Sequence, residues 1–293
     1  MNIANNALYW FLIRRMNMAE YEKRGYLTQD FKMFHLIDKK KREFEFHYHD
    51  FNKIVILIRG NVTYCIEGKS YDLKPYDMVL VNAGDVHCPV VHSSAVYERI
   101  IIYIAPEFLC AHKNDSYDLG YCFLRATKEK SNVLRIPSMQ SSKLYQVCRE
   151  LEGSFQDEDY AGELYQNLLF LEFMIHLNRA VLHDSLTYMD TASSNEKILS
   201  VLEFLNTHLT EDITIDSLAE QFFTSKYYLM HSFKEETGYT IGSYLTMKRL
   251  RYARELIADG MPVTQACFEC GFKNYSTFSR SYKKNFGVSP TLR

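Results

Sequence analysis

Two segments near the C-terminus place polar side chains opposite an apolar stripe with helical spacing. In the first, Leu229 and Phe233 define a buried side, and in the second Phe278 and Tyr282 do the same. The side chains on the opposite faces include an arginine, hydroxyl groups and an amide, which can hydrogen-bond to base edges in the major groove of DNA. The candidate base readers are Tyr227, Met230, His231, Asn274, Tyr275, Ser276, Ser279 and Arg280.

The charge of the chain is distributed unevenly, although its 293 residues carry a net charge of only −2. Residues 221–293 hold 11 lysines and arginines against 5 acids, so the rest of the chain is acidic. This asymmetry predicts an end that faces nucleic acid. Side chains beside the readers are expected to contact phosphate and to set the register. They are Ser225, Lys226, Lys234, Arg249, Arg251, Lys283 and Lys284.

The readers must be positioned by helices, and residues 196–293 are helical in pattern throughout. The spacing of apolar residues and a closing glycine in 225–238 is repeated in 274–287. A longer helix, predicted over about 241–258, joins the two copies. Two units of a short helix, a turn and a longer helix form a tandem helix-turn-helix domain. Cys267 and Cys270 have metal-ligand spacing, but no second pair follows, and we interpret them as core residues.

The N-terminal part of the chain, residues 27–137, has a different pattern. Short apolar runs rich in β-branched residues alternate with turn residues about every eight to twelve positions, which predicts a small sandwich or barrel. The runs lie at 54–58, 62–66, 70–73, 78–81, 88–91 and 99–104. With the helical domain that follows, the fold class is α+β.

Between the two domains we expect a helical segment and a linker. Residues 138–183 contain apolar positions at helical spacing, and these helices can bury their stripes on the barrel or on a second chain. We interpret them as a dimerisation segment of a homodimer. Residues 184–195 lose the periodicity and are interpreted as the linker. Residues 1–26 form an extension without a clear pattern, and Met16 or Met18 is an alternative start to Met1.

The C-terminal motifs resemble those of the AraC-type transcription regulators. The first half matches at Leu218-Ala219, Ser225, Leu229, Phe233-Lys234, Thr237-Gly238, Tyr244-Leu245, Arg249-Leu250 and Ala253. The second matches at Ala266, Gly271-Phe272, Ser276 to Arg280, Tyr282 to Lys284, Phe286-Gly287 and Ser289-Pro290. The resemblance implies double-stranded DNA and RNA polymerase as partners, and activation of transcription. His231 stands where the family commonly has arginine, which leaves the first reader weaker.

The barrel carries a signature of its own. His47-x-His49-x3-Lys53 and Gly84-x2-His87 resemble the two cupin motifs, with Lys53 where a metal-binding cupin has glutamate. Three imidazoles can hold Zn²⁺ or Fe²⁺, but a lysine among them places positive charge beside the metal. We therefore expect no metal and no cofactor. The histidines can simply be hydrogen-bonded side chains at the mouth of the barrel. Alternatively, His47, His49, Lys53 and His87 line a cupin-like pocket for an anionic or hydroxylated small-molecule effector, as AraC-type regulators often use such a domain.

The remaining observations narrow the class of protein. The N-terminal apolar run is too short to cross a bilayer and has no preceding positive charge, so we expect a cytoplasmic protein without a membrane partner. The prediction is a ligand-modulated, DNA-binding activator rather than an enzyme. The alternatives are a metal-dependent cupin enzyme with an accessory helical domain, and a regulator whose barrel only assembles chains.

Overall fold

A computed structural model describes residues 27, 29–39, 43–92, 96–156 and 159–291. The predicted extension at residues 1–26 therefore lies outside the described part. Among the described residues, contacts divide the chain into two units, residues 27–47 with 51–199 and residues 48–50 with 200–291. None of the helices in the described ranges is long and apolar enough to cross a membrane.

The N-terminal unit is built on two antiparallel sheets. Its strands are β1 (Phe31–Asp38), β2 (Asn52–Arg59), β3 (Val62–Ile66), β4 (Lys69–Asp72), β5 (Met78–Val81), β6 (His87–Val91), β7 (Tyr97–Ile104), β8 (Val133–Arg135), β9 (Thr187–Tyr188) and β10 (Ser193–Ser194). One sheet has the order β1-β7-β2-β5-β8-β9, and the other has the order β10-β4-β3-β6. The predicted short strands from residue 54 to 104 are confirmed, whereas β1 is not among the predicted strands.

Alternation along the strands creates two separate cores. On β2, Ile54 and Ile56 pack into a cluster with the helices of this unit. Val55 and Leu57 point to the other side, into a cluster that joins the two sheets. Because side chains alternate with period two, Lys53 shares the inner side with Val55 and Leu57. A charged side chain is thus delivered to the interior of the barrel.

Four helices and one 3₁₀ turn cover the larger sheet. They are α1 (Pro106–Ala111), α2 (Tyr121–Lys128), a 3₁₀ turn (Met139–Ser141), α3 (Lys143–Ser154) and α4 (Gly162–Leu182). The two long helices of 138–183 agree with the predicted periodicity. Helices α1 and α2 are not predicted by the sequence pattern, in which Pro106 closes an apolar strand. Pro106 instead stands at the first position of α1, where its missing N–H costs nothing.

The segment predicted as a linker takes part in both sheets. Strand β9 pairs with β8, with Leu134 opposite Tyr188. Strand β10 pairs with β4, with Ser193 opposite Ser70. Each strand has only two residues, and their pairing depends on distant partners that local periodicity cannot reveal. Residues 187–194 therefore belong to the barrel rather than to a free connection.

From residue 200 onward, the described part of the C-terminal unit consists of helices and the turns between them. Its helices are α5 (Glu196–Thr207), α6 (Ile215–Gln221), α7 (Lys226–Thr237), α8 (Ile241–Ala258), α9 (Val263–Glu269) and α10 (Tyr275–Phe286), and the division between the two units falls within α5. Gly238 and Gly287 end α7 and α10 in the left-handed conformation. Cys267 and Cys270 are fully buried in the core with Phe278. Their expected role as core residues is confirmed.

Candidate nucleic-acid interface and barrel pocket

Helix α7 presents an aromatic and apolar face. Ser225 caps its N-terminus, and the Ser225 hydroxyl accepts a hydrogen bond from the backbone N–H of Tyr228 at 3.2 Å. Leu229 and Phe233 are fully buried, as the pattern predicted, while Tyr227 and Met230 are 75% and 48% exposed. The ring of Tyr227 stacks on the ring of His231, with centroids 5.9 Å apart. The structure thus brings together three of the predicted readers on one exposed side.

Helix α10 presents a polar and cationic face. Asn274 caps its N-terminus and accepts the backbone N–H of Thr277 at 3.1 Å, so the side-chain carbonyl oxygen of this predicted reader already has a partner. Ser276 and Arg280 are exposed, whereas Tyr275 and Ser279 are partly buried. The Arg280 Nε–H donates to the Ser276 carbonyl at 3.2 Å. Among the described residues Arg280 forms no ion pair, so the end of its guanidinium group is available to a ligand.

The residues predicted to contact phosphate fall into two groups: exposed lysines, and residues that already have partners within the protein. Lys234, Lys283 and Lys284 are exposed. Arg249 is used internally instead, because its Nε–H donates to the Leu209 carbonyl at 2.6 Å and its terminal N–H donates to the Glu211 carbonyl at 2.5 Å.

The other expected phosphate contacts have partners in the same unit. Lys226 is paired with Asp216. Arg251 lies 3.7 Å from the Glu255 carboxylate. The Ser225 hydroxyl oxygen is occupied by its role as a helix cap. Local sequence pattern cannot show the partners of Lys226 or Arg249, since these lie on neighbouring helices or loops.

The barrel interior holds a buried ammonium group. Lys53 is 5% exposed and pairs across the larger sheet with Tyr103 on β7 and Val81 on β5. Its Nζ atom lies 3.3 Å from Nε2 of His87, which is 1% exposed. Within the described residues Lys53 forms no ion pair. Burial lowers the pKa of Lys53 to about 7, and the positive charge of Arg99 acts in the same direction.

The tautomers of two histidines follow from their hydrogen bonds. The His87 Nδ1–H donates to the Asp85 carbonyl at 2.9 Å, and the His47 Nδ1–H donates to the Glu45 carbonyl at 2.7 Å. Each carbonyl can only accept, so Nδ1 carries a proton, and in a neutral ring Nε2 keeps its lone pair. Lys53 is the donor to a neutral His87 ring. Burial, with the charge of Lys53 as the second cause, lowers the pKa of His47 to about 4, which favours the neutral ring.

The three predicted histidines are also placed as metal ligands would be. Ring nitrogens of His47, His49 and His87 all lie within 4.8 Å of one another. The lone pairs at Nε2 of His47 and His87 have the chemistry that Zn²⁺ uses. However, the Lys53 ammonium occupies the hydrogen-bonding position at His87, and a cation there would face its charge. The donor set therefore fits a metal ion poorly.

Two aromatic residues around Lys53 are absent from the sequence motifs. The Lys53 Nζ atom lies 6.0 Å from the ring centroids of both Tyr64 and Tyr103. Tyr64 lies on β3 with Val62 and Ile66 in the inner cluster, and Tyr103 packs against that cluster from β7. The period-two pattern places both on the inner side, so the same signal that delivers Lys53 could have found them.

Two family models match the chain. The model for the AraC-like ligand binding domain matches residues 34–168. The model for a helix-turn-helix domain matches residues 218–292. The first covers most of the barrel with α1 to α3, and the second covers most of α6 to α10.

Several similar proteins align over most of the chain. The HTH-type transcriptional activator RhaS of Shigella sonnei (strain Ss046) is 24% identical over 85% of this chain and 86% of its own. The HTH-type transcriptional regulator YbfI of Bacillus subtilis (strain 168), itself uncharacterized, is 25% identical over 80% of this chain and 81% of its own. A structure of ToxT from Vibrio cholerae O395 aligns with 90% of this chain and 97% of its own, at 17% identity and a TM-score of 0.38.

The class of the protein follows from the two family models and from the regulators that align with both parts of the chain. The chain is a DNA-binding transcription regulator with a ligand-binding domain, and not an enzyme. It belongs to the AraC-type regulators, as the C-terminal motifs indicated.

Proposed function

We propose that this protein activates transcription by binding two successive major-groove segments with α7 and α10, under the control of a small anionic effector in the barrel. The observation that carries the DNA-binding step is the pair of capped helices, each with an exposed reading side, joined by α8. Helices of this kind enter the groove with their N-terminal residues on base edges, and two readers on one face of DNA are about 34 Å apart.

Selection of bound sites from random duplex DNA by the full-length chain tests this step. At near-physiological salt we expect enrichment of two short motifs about one helical turn apart. Selection is repeated with candidate effectors, so that a form of the protein that binds DNA only with its effector is also sampled. Absence of enrichment under every condition would contradict the proposal. A reporter carrying the selected site upstream of a promoter then distinguishes activation through RNA polymerase from repression.

The proposed effector is anionic because the barrel interior holds a positive group that no carboxylate of the described residues neutralises. A buried ammonium is costly unless it is paired with an acid, and the described hydrogen-bond partner of Lys53 is the ring of His87 rather than a carboxylate. An entering carboxylate or phosphate group would complete the pair. The tyrosines Tyr64 and Tyr103 beside Lys53 offer ring faces to the rest of such a molecule.

Thermal unfolding of the full-length chain with collections of carboxylates, phosphate esters and neutral metabolites tests the effector. A true ligand should raise the melting temperature in the wild type and should have little effect on Lys53→Met. Lys128→Met, an exposed position of the same unit, should respond like the wild type. Stabilisation only by neutral molecules, or an equal response of the Lys53 variant, would contradict an anionic effector. No response to any molecule would favour a barrel that only assembles chains.

We further propose that α4 pairs two chains. One side of α4 is buried in its own unit at Phe170, Phe173 and Leu177. A second apolar stripe on the opposite side remains largely exposed. It consists of the exposed Leu164, Leu168, Ile175 and Leu182 and the partly buried Leu171, which alternate in steps of four and three with a final step of seven. This spacing is typical of the contact surface between paired helices. An apolar stripe of this length on a surface helix favours burial against another chain.

A further inference from the structure

The two reading helices differ in the chemistry that they expose. On α7 the exposed reading side consists of Tyr227, Met230 and His231. Met230 carries no hydrogen-bond donor, and the aromatic rings of Tyr227 and His231 are stacked on each other. The helix as a whole has two lysines and two glutamates, and one of those lysines is paired with Asp216. This side can offer extensive apolar contact but no arginine or lysine at its centre.

Helix α10 offers the opposite chemistry. It carries one arginine, two lysines and no acid. Arg280 stands at the centre of the exposed side, between Ser276 one turn before it and Lys283 one turn after it. Two parallel N–H groups of a guanidinium match the O6 and N7 acceptors of guanine, whereas an apolar side chain matches the C5-methyl group of thymine.

We propose that the two helix-turn-helix units read chemically different half-sites: α7 recognises thymine methyl groups through Tyr227 and Met230, and α10 recognises guanine through Arg280. The inference rests on the proposed DNA-binding function and adds the base class that each unit selects. Specificity in the first half-site comes from burial of methyl groups, and in the second from hydrogen bonds. The half-sites should therefore be T-rich and G-containing, respectively.

Base analogues in the selected site test this inference with the full-length chain. Replacing thymine by uracil in the first half-site removes only the methyl group, and we expect a loss of about fourfold in affinity for each methyl that is contacted. Replacing guanine by 7-deazaguanine in the second half-site removes N7, and we expect a loss of at least about fivefold.

Variants assign each effect to its helix. The cost of uracil should shrink in Tyr227→Ala or Met230→Ala and should persist in Arg280→Ala. The cost of 7-deazaguanine should show the reverse dependence. The analogues leave the protein unchanged, so a variant that folds poorly does not affect the wild-type result.

The outcomes separate the inference from the proposed function. If the chain selects a DNA site but tolerates uracil at every thymine, the inference is wrong while the proposed function stands. The inference is equally wrong if the uracil cost is unchanged in both α7 variants. If no DNA is selected under any condition, the proposed function itself fails, and the inference fails with it.

Discussion

At the scale of single residues, the unusual feature is a lysine inside a barrel. Lys53 lies there because the side chains of β2 point alternately to the two faces of the sheet. Burial lowers the pKa of Lys53 to about 7. Burying a charge without an acid costs stability, and such costs are typical of residues kept for binding. Lys53 therefore links the stability of the barrel to its proposed ligand.

Replacing Lys53 by methionine should stabilise the chain. The pKa of Lys53 is lower in the folded chain than the usual value of 10.5, so the unfolded chain binds the proton more tightly between these pH values. The penalty is fully present below about pH 7 and fades as pH rises toward 10.5. We expect Lys53→Met to raise the free energy of unfolding by about 1–3 kcal/mol near neutral pH, and by less in alkali.

Urea unfolding of wild type and Lys53→Met, near pH 7 and at higher pH, measures this difference. Lys128→Met is the control, since that lysine is exposed and should leave stability nearly unchanged at either pH. A Lys53 variant that is equally stable as the wild type throughout would show that the ammonium is not costly.

Arg280 allows the second prediction at this scale. Removing its guanidinium group in Arg280→Ala should weaken binding to the selected site by about 1–3 kcal/mol and relax the preference at one base position. Repeating the selection with the variant and comparing base frequencies measures both effects. Lys128→Ala, in the other unit, should change neither. Unchanged affinity together with unchanged base preference would remove Arg280 from the readers.

At the scale of elements, the two helix-turn-helix units have different residues at the same position of the turn. Both turns need a residue in the left-handed conformation. The second uses Gly271, with φ of +86°, whereas the first uses Phe223, with φ of +48°. A bulky residue is rare in this conformation, and Phe223 is 92% exposed, so burial does not compensate for the strain.

The first turn should gain stability from relief of that strain. Asparagine tolerates the left-handed conformation, so we expect Phe223→Asn to raise the free energy of unfolding by roughly 0.5–1 kcal/mol. Phe223→Ala keeps the Cβ atom and should bring little change. Chemical unfolding of the three chains provides the comparison, and a less stable Phe223→Asn would show that the aromatic ring contributes to stability.

The second turn should lose stability when its glycine is replaced. A Cβ at Gly271 would lie 2.9 Å from the Thr210 carbonyl oxygen and 3.1 Å from the Arg249 guanidinium carbon, in addition to its positive φ. We expect Gly271→Ala to cost about 1–3 kcal/mol in unfolding experiments. Gly242→Ala is the matched control, because nothing lies within 4 Å of its Cβ position and it is helical. Equal stability of the two variants would contradict the prediction.

The elements also show what the sequence could predict. Helices α7 and α10 were predictable because Leu229 and Phe278 repeat at helical spacing. Strand β2 was predictable because Ile54 begins a run of apolar, mostly β-branched residues. The strands β9 and β10 were not, since two-residue strands are defined only by their partners. Arg249 was expected on phosphate for a related reason: its carbonyl acceptors, Leu209 and Glu211, are about forty residues away in sequence.

At the scale of the whole molecule, the proposed pairing through α4 predicts that two chains act on DNA together. An aspartate introduced at Ile175 would place a charge within the proposed contact surface and should weaken the dimer by at least about tenfold. Binding to DNA that carries two copies of the selected site should weaken in parallel, while binding to a single copy should not.

Sedimentation of wild type and Ile175→Asp measures the association of the chains. Titration with DNA that carries one or two copies of the selected site measures the effect of this association on DNA binding. Tyr165→Asp is the matched control, because Tyr165 is a large exposed residue of the same helix about 100° away from the stripe. If all three chains have the same mass in solution, the α4 stripe is not the dimer interface.

The pairing of β9 and β10 with the barrel has a consequence for the conformational entropy of the chain around residue 195. After Ser194 the chain leaves the sheet, and α5 begins at Glu196. The residue between them, Asn195, accepts the backbone N–H of Ile198 at 3.3 Å and so caps the helix. Little conformational freedom is therefore left to this point of the chain, because the residues before Asn195 are held in the sheet and those after it in the capped helix.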